Sequence, residues 1–266
     1  MKHPIFKNRE FKSVKDFYHA LKDNEQVILD LKKNQVYKSI EKGQGIINVT
    51  FEQKQTANKE SYQSGFIYPV INSTMWLDNH DDVHITGCYK NTVQHQQGKV
   101  YYIDSHLKGM NNIIAKRNAI EMYVDQVEWK KLGKNIDGST QCLMFKIAEE
   151  NVKSEYLQLI KEDRDLQNSL AMRYVDIAMA VNTNDSAFKE NKELYDELYN
   201  KIANKEKAEK NGLFFAVKEL AIMGEGSLCP VIGGSNSATS VIIASDESEK
   251  ETPQGTVKSF INPNLF

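Results

Sequence analysis

One apolar segment constrains the fold of this 266-residue chain more than any other, and it lies between residues 168 and 182. Leu170 and Met172 occupy even positions of the segment, whereas Val175 and Ile177 occupy odd ones. A strand with one face in water alternates apolar and polar side chains, so apolar residues at both parities predict a strand buried on both faces. The rest of the fold has to supply a cover for each of these faces.

The composition is that of a soluble globular protein, with 40% hydrophobic and 26% charged residues. A net charge of -2 offers no basic excess for a phosphate backbone, so we expect no nucleic-acid specificity. Cys88, Cys142 and Cys229 lack metal-type spacing and predict buried thiols in a reducing compartment. No apolar run reaches the length of a membrane span and no signal-peptide core is present, which predicts a soluble, intracellular protein with no membrane partner.

Three regions are expected along the chain. Residues 1–45 are charged and helical, with Ser13 as a helix cap and a break near residues 23–24, and we predict an arm outside the core. Residues 46–244 form the predicted main domain. Residues 245–266 are charged and aperiodic, which is typical of a flexible tail.

The main domain alternates short β-branched runs with Gly, Asn and Asp turns, a pattern that favours a largely antiparallel sheet or a small barrel. The predicted fold class is therefore α+β, with a compact, mostly antiparallel, β-barrel-like core and packed helices. The predicted strands, besides the segment above, are 46–51, 65–71, 100–103, 142–147, 213–222 and 226–232, and the predicted helices are 151–163 and 186–210.

Three residue types along this domain fit a nucleophilic hydrolase. Ser169 opens the doubly buried strand, although serines at such positions usually serve as turn or cap residues. A serine hydroxyl needs a base to take its proton, and the base needs a third group to hold its tautomer. His106 follows the predicted strand 100–103 and is a suitable general base. Glu219 and Glu225 lie on or beside the late strands, and Glu225 is flanked by glycines that allow close approach.

A metal site is a separate hypothesis. Asp78, His80, Asp82 and His84 alternate, so on a strand all four side chains would share one face. Two imidazoles and two carboxylates can hold zinc or another divalent cation. The same segment also fits a polar turn. The metal-site interpretation would make the chain a metal-dependent hydrolase.

The order of these motifs resembles the prohead maturation proteases of tailed bacteriophages, serine proteases related in fold to the herpesvirus assemblins. The resemblance covers about residues 65–243 and includes an early segment at 68–84. Tyr101–His106 is similar to the strand that delivers the family's catalytic histidine, and Ser169–Tyr174 is similar to the nucleophile strand. Glu225–Leu228 is similar to the family's Glu-x-Ser-Leu motif.

The resemblance implies a catalytic triad of Ser169, His106 and Glu225, with Glu219 as the second choice of acid, and it implies no metal or organic cofactor. It implies an endopeptidase that cuts the phage major capsid protein or its scaffold segment, and also itself, inside the procapsid assembling in the host-cell cytoplasm. Self-association fits this role. The arm of residues 1–45 and the tail of residues 245–266 are then expected to be self-cleavage or capsid-targeting segments.

Two positions depart from the family pattern. Ala171 stands two residues after the serine, where the family usually has glycine, and Ser105 precedes the histidine, where an acidic residue is common. The acidic residue nearest to that position is Asp104, one residue before Ser105. Ala171 supports an alternative in which the chain is a catalytically inactive, protease-like scaffold or head component.

Overall fold

A computed structural model describes residues 5–6, 9–34, 62–163, 165–230 and 236–244. The predicted strand 46–51 and the predicted tail lie outside these residues. Within them, the α+β class is confirmed. The α-helices are α1 (Val14–Asp23), α2 (Glu25–Asn34), α3 (Lys90–Gln96), α4 (Ser154–Glu162), α5 (Lys189–Tyr199) and α6 (Lys205–Asn211). The strands are β1 (Phe66–Ser73), β2 (Asp82–His84), β3 (Tyr101–Asp104), β4 (Ile113–Ala115), β5 (Ile120–Glu128), β6 (Ser139–Ala148), β7 (Gln167–Val181), β8 (Leu213–Cys229) and β9 (Ser240–Ile243).

The strands form two sheets. The first is antiparallel, with the order β5-β6-β1-β9. The second is mixed and is built on β8, which pairs with β7 in antiparallel fashion along one edge. Its other edge pairs in parallel with β2 at Phe215–Val217 and with β3 at Glu225–Leu228, and β4 adds outside β3. The described strands close no barrel, so the barrel-like core is not confirmed.

The two sheets pack closely at the C-terminal half of β8. An added Cβ at Gly226 would lie 2.9 Å from the Phe145 ring of β6, so the backbone of β8 approaches the first sheet as only glycine allows. Asn168 of β7 joins the sheets by donating to the carbonyls of Val70 and Ser240 at 3.2 and 2.8 Å. The other face of β8 is thereby left for the turn that follows β3.

The predicted strand is confirmed as β7, but consecutive residues are buried only at its C-terminal end, from Met179 to Val181. Leu170, Met172, Ile177 and Met179 are all buried. Helices α2 and α5 pack against β7, and β8 pairs along its length. These four side chains belong to one hydrophobic cluster, and the buried positions change from even to odd across the register shifts between Tyr174 and Ile177. The apolar residues at both parities therefore reflect β-bulges that redirect the strand, and not cover on both faces along its length.

The N-terminal helices are part of the core, contrary to the expected arm. The Ser13 cap is confirmed, because its hydroxyl accepts from the Asp16 amide at 3.0 Å. Helix α1 ends at Asp23, and Asn24 separates it from α2, as the predicted break near residues 23–24 requires. Phe17 and Leu21, however, are buried in the same hydrophobic cluster as the strands of both sheets. Their amphipathic stripe needs an apolar partner, and the main domain supplies it. The boundary predicted after residue 45 lies outside the described residues.

Tertiary contacts alter two predicted elements. The single helix expected at 186–210 is interrupted between α5 and α6, where the Asn204 side chain bonds the backbone N–H and carbonyl of Leu77. The two late strands expected at 213–222 and 226–232 are continuous as β8. Gly224, with a φ of +84°, allows β8 to bulge there without ending.

None of the described helices is long and apolar enough to cross a membrane. The three cysteines are free and buried, as predicted.

Candidate active site

Strand register brings Ser169, Glu225 and Ser227 to one face of the second sheet. Glu225 and Ser227 are two residues apart on β8, so their side chains point the same way. Ser169 lies directly opposite Ser227 in the antiparallel pair of β7 and β8. Such partners share a face, with Cβ atoms about 4.5–5.5 Å apart. The turn after β3 places His106 over this group, as its backbone contact with Ser227 shows.

His106 and Glu225 lie at ion-pair distance, with the carboxylate buried and the imidazole partly exposed. The imidazole Nδ1 lies 2.8 Å from Glu225 Oε1, and the carboxylate side chain is only 5% exposed while the imidazole is 38% exposed. A carboxylate only accepts hydrogen bonds, so Nδ1 carries the proton and Nε2 carries the lone pair. Nε2 has no hydrogen-bond partner among the described residues. The ring therefore keeps an unoccupied lone pair on Nε2 within the described part of the chain.

Ser227 is a site residue that the sequence placed only within a motif. Its hydroxyl donates to Glu225 Oε2 at 2.6 Å, and its Oγ accepts from the His106 backbone amide at 3.1 Å. The same Oγ lies 3.2 Å from His106 Nδ1, and the residue is fully buried. The signal that could have found it is its two-residue spacing from Glu225 on one strand.

The turn that carries His106 is conformationally costly. Ser105 and His106 have φ values of +46° and +61°, a left-handed conformation that costs roughly 1–3 kcal/mol for each non-glycine residue. The Ser105 amide bonds the Leu228 carbonyl at 2.9 Å, and the Leu107 amide bonds the Asp104 carbonyl at 2.7 Å. With the Ser227 contact, every backbone N–H from 105 to 107 is paired, so the surroundings impose the conformation. Such imposed strain is commonly found at functional sites.

Ser169 is half-buried beside this network, and its hydroxyl makes no hydrogen bond within the described residues. Its position is fixed by its neighbour. The side-chain Oδ1 of Asn168 accepts from the Tyr102 hydroxyl of β3 at 2.7 Å, and the backbone amide of Asn168 donates to Thr239 Oγ1 at 3.0 Å. One buried asparagine thus ties the start of the serine strand to the strand that delivers His106.

The other acids considered for the triad bind elsewhere. Glu219 accepts from the Asn91 side chain at 2.9 Å, six residues along β8 from Glu225. Asp104 accepts from the Ser105 hydroxyl at 2.7 Å and from the Tyr156 hydroxyl at 3.1 Å. Of the sequence candidates, only Glu225 meets His106.

Ala171 causes no strain at its position. Leu170 pairs with Gly226 and Met172 pairs with Ile222, so Ala171 alone faces three residues of the β8 bulge. It is in strand β7, and it is not among the described residues with positive φ. Glycine's conformational freedom is therefore not required there, and the methyl group does not by itself argue for an inactive protein.

The alternative metal site is not formed. Asp82 and His84 belong to β2, but Asp78 lies in the preceding turn, where its carboxylate accepts from the amides of His80 and Asp82 at 2.7 and 3.0 Å. No group of three His, Cys, Asp or Glu residues suited to a metal ion occurs in the described part of the chain. The prediction that all four side chains share one strand face is wrong because the segment turns before Asp82.

The acids of that segment form a structural cluster instead. Asp82 accepts from Lys32 of α2 at 2.5 Å and from the Tyr174 hydroxyl at 2.7 Å. Burial, together with the charge of Asp82, raises the pKa of Asp78 to about 7. Burial lowers the pKa of His84 to about 3, so this histidine is neutral and cannot serve as a base near pH 7.

Comparison with protein families, with curated proteins and with solved structures finds no match to this chain.

Proposed function

We propose that this protein is a serine endopeptidase in which Ser169 is the nucleophile, His106 the general base and Glu225 the orienting acid. One observation carries the proposal. A half-exposed imidazole has Nδ1 on a buried carboxylate and Nε2 without a partner among the described residues, and Ser169 pairs across the strands with Ser227, which contacts that imidazole. This is the arrangement of roles that serine hydrolases of unrelated folds share.

The reaction follows from these roles. Ser169 Oγ attacks the carbonyl carbon of the scissile peptide, and its proton passes to His106 Nε2. The imidazolium, stabilised by Glu225, then protonates the leaving amine as the C–N bond breaks. Water, deprotonated by the same Nε2, hydrolyses the acyl-serine and restores the hydroxyl. No metal ion or organic cofactor takes part in these steps.

We further propose that the substrates are phage head proteins: the major capsid protein, its scaffold segment and this chain itself, cut inside the procapsid in the host cytoplasm. The support is the resemblance of Tyr101–His106, Ser169–Tyr174 and Glu225–Leu228 to the prohead proteases. An assemblin-like core architecture and self-association belong to the same proposal.

The test is a comparison of the wild-type chain with Ser169→Ala. Each is co-expressed with the capsid and scaffold proteins, and every chain is weighed by intact mass spectrometry. We expect discrete fragments with wild type and only full-length chains with Ser169→Ala. Identical fragments in both samples would remove Ser169 from the mechanism. Assembled but uncut particles in both would favour the inactive head component.

A probe that needs no substrate complements this test. A fluorophosphonate reacts with an activated serine, and peptide mapping locates the adduct. We expect one adduct, on Ser169, which is lost in His106→Ala. Labelling that survives His106→Ala would show that His106 does not activate the serine.

A further inference from the structure

The motif serine two residues after Glu225 is fully buried, so it cannot be the nucleophile, yet it contacts two members of the proposed triad. We propose that Ser227 is a positioning residue that locks the tautomer of His106. This inference rests on the proposed function, and it adds a fourth side chain to the machinery.

The assignment of one proton carries the argument. A serine hydroxyl has one hydrogen to donate, and Glu225 Oε2, at 2.6 Å, can only accept it. The Ser227 oxygen therefore turns its lone pairs to His106. One lone pair accepts from the His106 backbone amide at 3.1 Å, and the other faces Nδ1 at 3.2 Å.

Two acceptors consequently surround Nδ1: Glu225 Oε1 at 2.8 Å and Ser227 Oγ at 3.2 Å. An unprotonated Nδ1 would place a third lone pair against both of them. The proton is thus held on Nδ1, and the basic lone pair is held on Nε2. Ser227 also keeps Glu225 oriented, because it engages the carboxylate oxygen that His106 does not use.

The same hydroxyl maintains the strained turn. The backbone amide of His106 points at Ser227 Oγ in a conformation with φ of +61°. Without that acceptor the amide is buried and unpaired, which removes part of the restraint on a left-handed residue. One side chain therefore orients the ring through its nitrogen, through its backbone and through its acid partner.

The experiment uses the isosteric pair Ser227→Thr and Ser227→Val, with Ser227→Ala as a smaller third variant. Threonine keeps the hydroxyl, whereas valine has the same shape without it. Ring ¹⁵N chemical shifts of His106 in the full chain at alkaline pH report the tautomer, and fluorophosphonate labelling reports the reactivity of Ser169. Ser105→Ala is the matched control, because it removes a hydroxyl of the same turn, and among the described residues that hydroxyl bonds only Asp104.

We expect the Nδ1–H tautomer in wild type, Ser227→Thr and Ser105→Ala, and mixed tautomers in Ser227→Val and Ser227→Ala. The labelling rate falls roughly 10–100-fold in Ser227→Val and Ser227→Ala, because each loses one hydrogen bond to a charged group. With a cleaved substrate, the loss is expected in kcat and not in KM. A single Nδ1–H tautomer together with wild-type labelling in Ser227→Ala would overturn the inference. This outcome decides the test even if the threonine and valine variants do not fold.

The outcomes separate the two proposals. If wild type cleaves and labels normally but Ser227→Ala is unchanged in rate and tautomer, the positioning role fails and the peptidase stands. If the tautomer depends on Ser227 while neither labelling nor cleavage occurs in wild type, the positioning role stands and the peptidase fails.

Discussion

Two histidine–carboxylate clusters lie along the same pair of strands, β7 and β8, and they differ in almost every property that matters for chemistry. Near the C-terminal end of β8, His106 is half-exposed and pairs with Glu225. Beside its N-terminal end, His84 of β2 is fully buried and makes its Nε2 contact with Met172 sulfur at 3.3 Å. Within the part of the chain that the structure describes, its Nδ1 has no hydrogen-bond partner.

The carboxylates differ in the same way. Glu225 accepts from the imidazole and from a serine hydroxyl. Asp82 is neutralised by Lys32, whose ammonium also lies 4.2 Å from the centre of the Phe215 ring. The first cluster keeps an imidazole nitrogen that has no partner among the described residues, whereas the second uses its charges to attach helix α2 to the sheet. Residue types alone do not distinguish a candidate catalytic cluster from a structural one. Exposure and an unoccupied lone pair do.

The largest expected effect is the loss of Glu225. In Glu225→Gln, the amide can donate to Nδ1 and favour the wrong tautomer, so the labelling rate of Ser169 falls about 10⁴-fold, as for the orienting acid of serine proteases. Asp104→Asn is the control, because this acid is one strand residue from the turn but does not touch His106; it stays within about 3-fold. Equal rates in the two variants would mean that Glu225 is structural, like Asp82.

The second effect is on stability. Lys32→Met leaves Asp82 buried without its cation, which is expected to lower the free energy of unfolding by about 3–5 kcal/mol. Urea denaturation measures it. Lys22→Met is the control, since Lys22 pairs with Glu25 at the surface, where an ion pair contributes about 1 kcal/mol or less. Similar losses in both would remove the claim that Lys32 attaches α2 through a buried charge.

The smallest effect depends on pH. The pKa of Asp78 is raised from 3.8 to about 7 by burial and by Asp82, so the folded state holds a proton that the unfolded state releases near pH 4. The stability from this group is full below its unfolded pKa and is lost as pH rises to about 7. Asp78→Asn removes that loss, on the order of 2 kcal/mol after allowance for the coupled partner.

Thermal unfolding at about pH 5 and about pH 8 checks this sign. We expect the melting temperature of Asp78→Asn to exceed that of wild type by more at the higher pH. Asp81→Asn, at a neighbouring turn residue with φ of +60°, is the matched control and should show no such change. A parallel pH response in both variants would place the raised pKa elsewhere.

The sequence predicted much of the local structure. Apolar residues at both parities predicted β7, the Ser13 cap predicted α1, and a β-branched run before Asp104 predicted the strand that ends at the histidine turn. These succeed because burial period and capping are properties of neighbouring residues. The metal site predicted from the four alternating residues from 78 to 84 is wrong, because alternation places side chains on one face only where the chain stays extended.

Two features needed long-range information. That His106 contacts Glu225 and not Glu219 depends on which half of β8 pairs with β3 and which pairs with β2. The core role of the N-terminal helices depends on an apolar surface formed by strands far along the chain. Neither can be obtained from the spacing of residues in a segment.

By itself, then, the sequence determined strands β1, β3, β6 and β7, the two halves of β8, and which side chains could act as nucleophile, base and acid. The tertiary structure alone decided that His106 meets Glu225, that Ser227 contacts both of them and that Lys32 neutralises Asp82. The physical reason is that local patterns depend on burial and backbone geometry within a few residues. Contacts between strands depend on pairing order and register, and the Gly224 bulge sets the register that brings Glu225 to its site.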